Sequence, residues 1–188
     1  MAKIGLNNFR YAVATVGQDG SITYGSLKTP GKAIDFNFTP TVSDASLYAD
    51  DGLAETDNQV TGGTCSMGID RLDPETMADV LGHSYDSETN EVVSNVNDVA
   101  PYIGVGRIAR LMIGGVQYFR ATFFAQCKMQ EPTDENTTRG ESVEFSTYTL
   151  EGKVLIPQNG TWRKENTFET QADAITYLEG LFAPTPSV

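Results

Sequence analysis

Few of the residues that build catalytic and metal sites occur in this sequence. Its 188 residues include one histidine, His83, and two cysteines, Cys65 and Cys127. A Ser/His/Asp or Cys/His site would have to use His83, which lies beside Ser84 and far in sequence from both cysteines. We expect His83 to be solvent-exposed or cap-adjacent. We expect the cysteines to be reduced thiols on the apolar faces of strands.

Long apolar runs are also missing. No stretch could span a bilayer, and the first eight residues lack the hydrophobic core of a signal peptide. We therefore expect a protein that is made and used in a cytoplasm, without a membrane partner. The length and the apolar share of 39% suit one domain over residues 1–182. Residues 183–188 have linker composition, which predicts a disordered tail.

Positive charge is scarce in one part of the chain. Residues 44–98 contain 13 acidic residues and a single basic one, Arg71, so this window accounts for the whole net charge of −12. DNA binding requires a basic footprint, and the composition therefore disfavours it. A solvated acidic surface that keeps the protein soluble is the plain interpretation.

The acidic residues do not form a recognisable metal or catalytic motif. Calcium could use the carboxylates near residues 50–57, but their spacing does not match a known calcium loop. Asp70 and Asp73 could be the paired carboxylates of a hydrolase. However, the pattern places Asp70 at the end of a strand and Asp73 at the start of a helix. We predict no catalytic residues, no metal and no cofactor, and hence a protein that is not an enzyme.

Alternation with a period of two dominates the chain and predicts strands at 9–16, 21–27, 34–38, 63–70 and 143–156. Two helices interrupt it. Asp73-Pro74-Glu75 begins a short helix near 74–82, with Asp73 as the capping side chain and Gly82 as the stop. Thr170 begins a second helix near 171–182. The predicted fold class is mainly β, in the β-rich α+β sense, and the acidic segment at 46–57 is predicted to be a surface loop.

The longest alternation forms a central hairpin. Its arms, Tyr102–Ile113 and Val116–Met129, flank Gly114-Gly115, and on the second arm every other residue from Phe119 to Met129 is apolar. Arms of about 12 residues reach roughly 40 Å, and their edges would be an aggregation hazard in a monomer. We expect sibling subunits to cover those edges. Gly104 and Gly106 predict a bend or a close backbone approach.

Three arginines lie on this hairpin: Arg107, Arg110 and Arg120. They are either surface residues paired across strands or partners for the acidic window of a neighbouring copy. Opposite charge on separate segments of one chain suits head-to-tail self-association.

Taken in order, these segments resemble the major tail protein, or tail tube subunit, of long, flexible-tailed bacteriophages that infect Gram-positive hosts. The resemblance covers most of residues 5–182. It depends on Leu47-Tyr48-Ala49-Asp50-Asp51, the glycine-opened strand through Asp70, the stretch 72–82, the central hairpin and the closing helix.

The resemblance implies a tail-tube-type β-sandwich or open barrel, assembled as hexameric rings stacked into a hollow tube. Genome DNA would pass through the lumen without specific binding. The protein would be assembled in the host cytoplasm and reside in the virion, and a tape measure, a tail terminator and distal tail proteins would be its partners. The alternative is a monomeric β-sandwich binding module, such as an adhesin or a carbohydrate reader, although a single tryptophan is sparse for sugar stacking.

Within that expectation the loop at 47–57 contacts the next ring. Leu47 and Tyr48 would be anchors, with acidic neighbours completing the contact: Asp50, Asp51, Glu55 and Asp57. Part of the acidic charge would face the lumen and keep DNA from adhering to the wall.

Overall fold

Strand pairing organises almost the whole chain. The computed structural model describes residues 2–49, 52–133 and 147–183, with the backbone alone over 45–49 and 52–57. Its elements are β1 (Ala2–Val16), β2 (Ile22–Tyr24), β3 (Ala33–Ala49), β4 (Gly52–Ile69), α1 (Pro74–Leu81), β5 (Ser84–Asp86), β6 (Glu91–Val93), β7 (Tyr102–Ile113), β8 (Val116–Met129), β9 (Tyr148–Val154), β10 (Arg163–Phe168) and α2 (Gln171–Gly180). The mainly β class with two short helices is confirmed. The predicted strand at 143–156 lies outside the described residues over 143–146, and the predicted tail does so over 184–188.

The principal sheet is antiparallel, with the strand order β2-β1-β7-β8-β9-β4-β3. β10 also pairs with β8, opposite residues 119–124, while β9 pairs with β8 opposite residues 127–129. β5 and β6 form a separate small hairpin. The central hairpin β7–β8 is therefore flanked by β1 on one side and by β10 and β9 on the other. The prediction that its edges are unpaired is wrong, because the chain covers them with its own strands.

Two hydrophobic cores lie on opposite faces of the central strands. The first core packs β3 and β4 against β1, β7 and β8, and α1 closes it with Val80 and Leu81. Phe9 of β1 meets Phe36 of β3 edge to face, with ring centroids 6.0 Å apart. The second core lies between the central strands and α2, which contributes Ala174 and Leu178, with Phe182 just beyond its end. The sheet thus folds over on itself in a sandwich-like way, with one helix on its outer face.

A bulge in the central hairpin divides the apolar face predicted for β8. Ile103 is opposite Cys127, but Val105 is opposite Phe124, so β8 has one extra residue in this interval. An extra residue inverts the alternation of side chains beyond it. The residues before the bulge, Phe119 to Ala125 at alternate positions, face the second core, whereas Cys127 and Met129 face the first. The prediction of one continuous face is therefore wrong.

A second irregularity displaces Ile34. The register between β3 and β4 shifts between Ala33 and Asp35, and Ile34 is 47% exposed, although Phe36 and Phe38 pack on the first core as expected. The alternation at 34–38 therefore predicts two of the three inward residues. The third fails because the bulge turns it outward.

The helix ends follow their sequence signals with one exception. Gly82 ends α1 in the left-handed conformation, and the Thr170 side chain caps α2 by accepting from the Asp173 N–H. Asp73 precedes α1 in extended backbone but makes no side-chain cap hydrogen bond. Instead its carboxylate lies 3.4 Å from the Arg71 guanidinium, so the predicted capping role of Asp73 is wrong.

Candidate functional site

The most exposed architectural feature is the end of the β3–β4 hairpin, which we call the ribbon: residues 41–49 and 52–62. β9 pairs with β4 only as far as Gly63. Beyond that point β3 and β4 pair only with each other, from Thr41 opposite Gly62 to Ala49 opposite Gly52. At about 3.3 Å per residue the ribbon extends roughly 30 Å past the last flanking strand. Within the described residues neither edge of the ribbon has a strand partner.

The ribbon corrects the prediction of a surface loop at 46–57. The backbone here is strand up to Ala49 and again from Gly52, and these two residues are paired with each other. The strand character was missed because residues 46–57 show no apolar alternation.

An aromatic stack fixes the base of the ribbon. The Phe36 and Phe38 rings lie 5.4 and 5.1 Å from the Phe124 ring, and Trp162 packs on Phe38 at 5.4 Å. Gly63 lies directly beside the Phe38 ring, where any Cβ would collide with it. Because its base is packed in the first core, the ribbon leaves the sheet from a rigid point.

The residues predicted to contact the next ring all belong to the ribbon or its turn. Asp50 and Asp51 lie outside the described residues. For Leu47, Tyr48, Glu55 and Asp57 the structure describes the backbone alone: Leu47 is paired with Glu55, Tyr48 with Leu53, and Ala45 with Asp57. Their side chains also lie outside the described part of the chain.

The three predicted arginines do not share one surface. Arg107 lies on the face of the first core, with its guanidinium 4.8 Å from the Phe36 ring. Arg110 lies on the opposite face, over Phe119 at 5.9 Å. Arg120 shares the face of Arg107, since it is opposite Ala109, and its Nε donates to Thr167 Oγ1 at 3.3 Å. The structure thus brings together two of the three.

Arg107 is unusually desolvated for a cation. Burial, with the nearby Arg163 and Arg120 guanidiniums, lowers its pKa, and the Glu165 carboxylate acts in the opposite sense. Its Nε is buried without a hydrogen-bond partner among the described residues. Arginine stays protonated despite such shifts, so a cation is held against Phe36 at the edge of the first core.

His83 is not solvent-exposed, which corrects half of the prediction made for it. It does follow the Gly82 cap, but its side chain is only 3% exposed. Nδ1 lies 2.8 Å from Asp98 and Nε2 lies 2.5 Å from Glu131. Both nitrogens can donate only in the imidazolium form. Because both are engaged by carboxylates, the ring ties two surface segments together and has no free nitrogen to act as a general base.

The carboxylates of Asp98 and Glu131 favour the protonated form of the His83 ring. Burial lowers the pKa of His83, but the hydrogen bonds that its ring donates to Asp98 and Glu131 and the charges of both carboxylates raise it by more, so it lies above the ordinary value. The Asn95 N–H, followed by the His83 ring, holds the pKa of Asp98 below its ordinary value. Sequence reasoning missed this cluster because His83 and Glu131 are 48 positions apart.

A second polar cluster fastens α1 to the sheet. Lys28 Nζ lies 2.6 Å from Asp79 and 2.8 Å from Glu75, and Tyr11 donates its hydroxyl to Asp79 at 3.0 Å. Burial is the largest cause that raises the pKa of Tyr11 to about 12. The hydroxyl therefore remains a donor at any physiological pH, and the cluster has a structural role.

The other candidate residues, Asp70, Cys65 and Cys127, also have structural roles. Asp70 Oδ1 accepts the Lys32 N–H at 2.7 Å, next to Gly31, so it secures the entry to β3. Cys65 and Cys127 are buried free thiols in the first core, as predicted. The thiol contact with Cys65, together with burial, raises the pKa of Cys127. Within 2–49, 52–133 and 147–183 no group of three or more His, Cys, Asp or Glu residues could hold a metal ion.

The comparisons with known proteins add no relative. No protein-family model matches the chain, and no curated protein is significantly similar to it. In the part of the chain that the structure describes, neither helix has the length and apolarity to cross a bilayer.

Proposed function

We propose that this protein is a self-assembling structural subunit of the kind that builds the tail tube of long, flexible-tailed bacteriophages. Subunits join through their ribbons into closed rings, and the rings stack into a hollow tube through which genome DNA is delivered. The observation that carries the proposal is the ribbon, whose two edges have no strand partner among residues 2–49, 52–133 and 147–183.

The physical argument concerns the stability of such a ribbon. An isolated two-stranded hairpin is marginally stable in water, and its unpaired edges are a template for further pairing. A ring of identical subunits removes those edges, because each copy supplies the strand that its neighbour lacks. The β7–β8 hairpin has less need of a partner, since β1 pairs along β7, and β10 and β9 pair with residues 119–124 and 127–129 of β8. The unpaired edges that support the proposal are those of β3 and β4.

The charge of the ribbon supports a role in a tube. The ribbon and its turn carry five acids and no base, namely Asp44, Asp50, Asp51, Glu55 and Asp57. Acidic residues along an exposed edge discourage indiscriminate pairing, and on a lumen wall they repel the DNA backbone.

The test removes the ribbon and keeps the sheet. Residues 43–59 are replaced by Asn-Gly, which joins the paired residues Val42 and Val60 through a two-residue turn. We expect the shortened protein to keep the circular dichroism of the intact fold and to form no rings or tubes in negative-stain microscopy, whereas the full chain forms them.

The matched control keeps the ribbon backbone and removes part of its charge. Asp44→Asn with Asp57→Asn should still assemble, because backbone pairing carries the contact. Rings formed by the shortened protein would refute the role of the ribbon. A full-length chain that stays monomeric at all concentrations would instead favour the binding module.

A further inference from the structure

Three exposed valines mark one end of the β7–β8 hairpin. Val93, Val96 and Val99 are 45%, 99% and 71% exposed, and they lie in the segment that leads from β6 into Tyr102 of β7. We call them the valine knob. Val96 buries almost nothing within its own chain, and three exposed aliphatic side chains in one short segment suit a contact surface.

The knob is held in place and does not hang on a loose loop. Asp98 accepts from the Asn95 N–H and lies against His83 Nδ1, both at 2.8 Å, and its own N–H donates to the Asn95 carbonyl. Gly82, with φ +81°, leaves room for the Val99 carbonyl, which a Cβ would strike. A turn fixed from two sides loses little conformational entropy when it docks.

A second exposed apolar set lies at the other end of the same hairpin. Ile4, Ile113 and Val116 are 49%, 36% and 55% exposed. Ile113 is paired with Val116 across the turn, and Ile4 lies on the adjacent strand β1, two positions after Ala2, which is paired with Met112. We call them the apolar tip. The hairpin arm between the knob and the tip has 12 residues, which corresponds to roughly 40 Å.

The two ends carry opposite charge. Residues 83–99 around the knob contain four acids, Asp86, Glu88, Glu91 and Asp98, against two cations at this end, His83, which Asp98 and Glu131 hold, and Lys128 over the Tyr102 ring. Residues 2–8 and 109–119 around the tip contain Lys3 and Arg110 and no acid. Two knobs facing each other would bring acid to acid. A knob facing a tip brings acid to base around an apolar centre.

We propose that the valine knob of one copy docks on the apolar tip of the next copy, head to tail. A head-to-tail contact gives either an open chain of copies or a closed ring, depending on the rotation between successive copies. Six aliphatic side chains are fewer than a stable interface needs, so the contact is weak alone and acts by repetition. The inference rests on the proposed self-association but uses a surface distinct from the ribbon.

Cysteine cross-linking of the full-length chain tests the contact even if it is weak. The native Cys65 and Cys127 are 3% and 1% exposed and do not compete. A mixture of V96C and V116C proteins should form a disulfide dimer, and the double variant V96C/V116C should form a ladder of dimers, trimers and longer species. The control replaces the knob position with L27C, at a residue that is 37% exposed and precedes Lys28, which is bridged to Tyr11 of β1.

We expect the V96C–V116C pair to react on the order of tenfold or more faster than the L27C–V116C pair, because residues in a contact have a high effective concentration. Equal rates for the two pairs would overturn the inference. So would V96C alone dimerising as fast as the mixture, since that indicates a knob-to-knob contact. If equal rates occur in a protein that still forms rings through its ribbon, the head-to-tail contact fails and the proposed function stands.

Discussion

The close approach of α2 to the central strands gives a stability prediction that can be worked out from distances. A Cβ on Gly106 would lie 2.7 Å from Leu178 Cδ1 and 3.1 Å from Cγ, and Leu178 is 1% exposed. Gly106→Ala should therefore overpack the second core and lower the free energy of unfolding by about 1–3 kcal/mol. Leu178→Ala should leave a cavity and lower it by about 2–5 kcal/mol.

The changes in unfolding free energy caused by the two substitutions should not be additive. In the double variant the methyl group introduced at position 106 occupies space that the Leu178 side chain vacated, so we expect a favourable coupling within about 0.5–3 kcal/mol. Urea unfolding followed by circular dichroism measures the free energy of unfolding of the wild type, the two single variants and the double variant. Gly180→Ala is the control on the same helix: no atom lies within 4 Å of its Cβ position, so little change or a slight gain is expected. Strict additivity at Gly106 and Leu178 would refute the packing argument.

Three further predictions concern individual side chains. Folding raises the pKa of His83, so its contribution to stability is complete below the unfolded pKa of about 6.5 and is lost as pH rises through the folded pKa. The free energy of unfolding of the wild type should therefore fall over that pH window. The His83→Gln variant should not show this fall. Direct NMR titration of the ring should give a value above about 6.5, and a lower one would contradict the double contact with Asp98 and Glu131. Lys28→Met should cost about 1 kcal/mol or less, because Lys28 is 35% exposed and solvent screens it, and the difference from wild type should shrink at high salt. Cys127 should resist thiol reagents until the protein unfolds, because it is 1% exposed, and rapid labelling of the folded protein would count against the first core.

The sequence predicts the elements that have a buried face and misses those that do not. β7 and β8 begin and end where their alternation predicts, because each buries alternate side chains against a core. The ribbon has no core beside it, and its described side chains at 41–44 are all exposed. Its strand character comes from backbone pairing, which leaves no apolar period to detect.

Features that depend on the pairing register, or on residues far apart in the sequence, also could not be predicted from the sequence. The bulge that divides the β8 face arises from the match between two strands, and neither strand shows it alone. The burial of His83 depends on Glu131, which arrives from the end of β8. Gly104 and Gly106 are predicted to allow a bend or a close backbone approach, and in the structure side chains take that space instead: the rings of Tyr24 and Phe182 and the side chain of Leu178.

Salt should strengthen assembly by screening the long-range repulsion between copies and, at higher concentration, weaken it by screening the charges in contact. Each copy has a net charge of −12, so copies repel one another before any contact forms. The Debye length is about 30 Å at 0.01 M salt and about 8 Å at 0.15 M, so raising salt over this range removes the long-range repulsion while contacting charges still attract. We therefore expect assembly, followed by light scattering, to strengthen up to about physiological salt and then to weaken towards about 1 M as the acid–base contacts are screened. Assembly that is strongest at the lowest salt would mean that attraction dominates at all distances. Such a result would contradict an interface in which the acids around the valine knob and the basic residues around the apolar tip meet only on close approach.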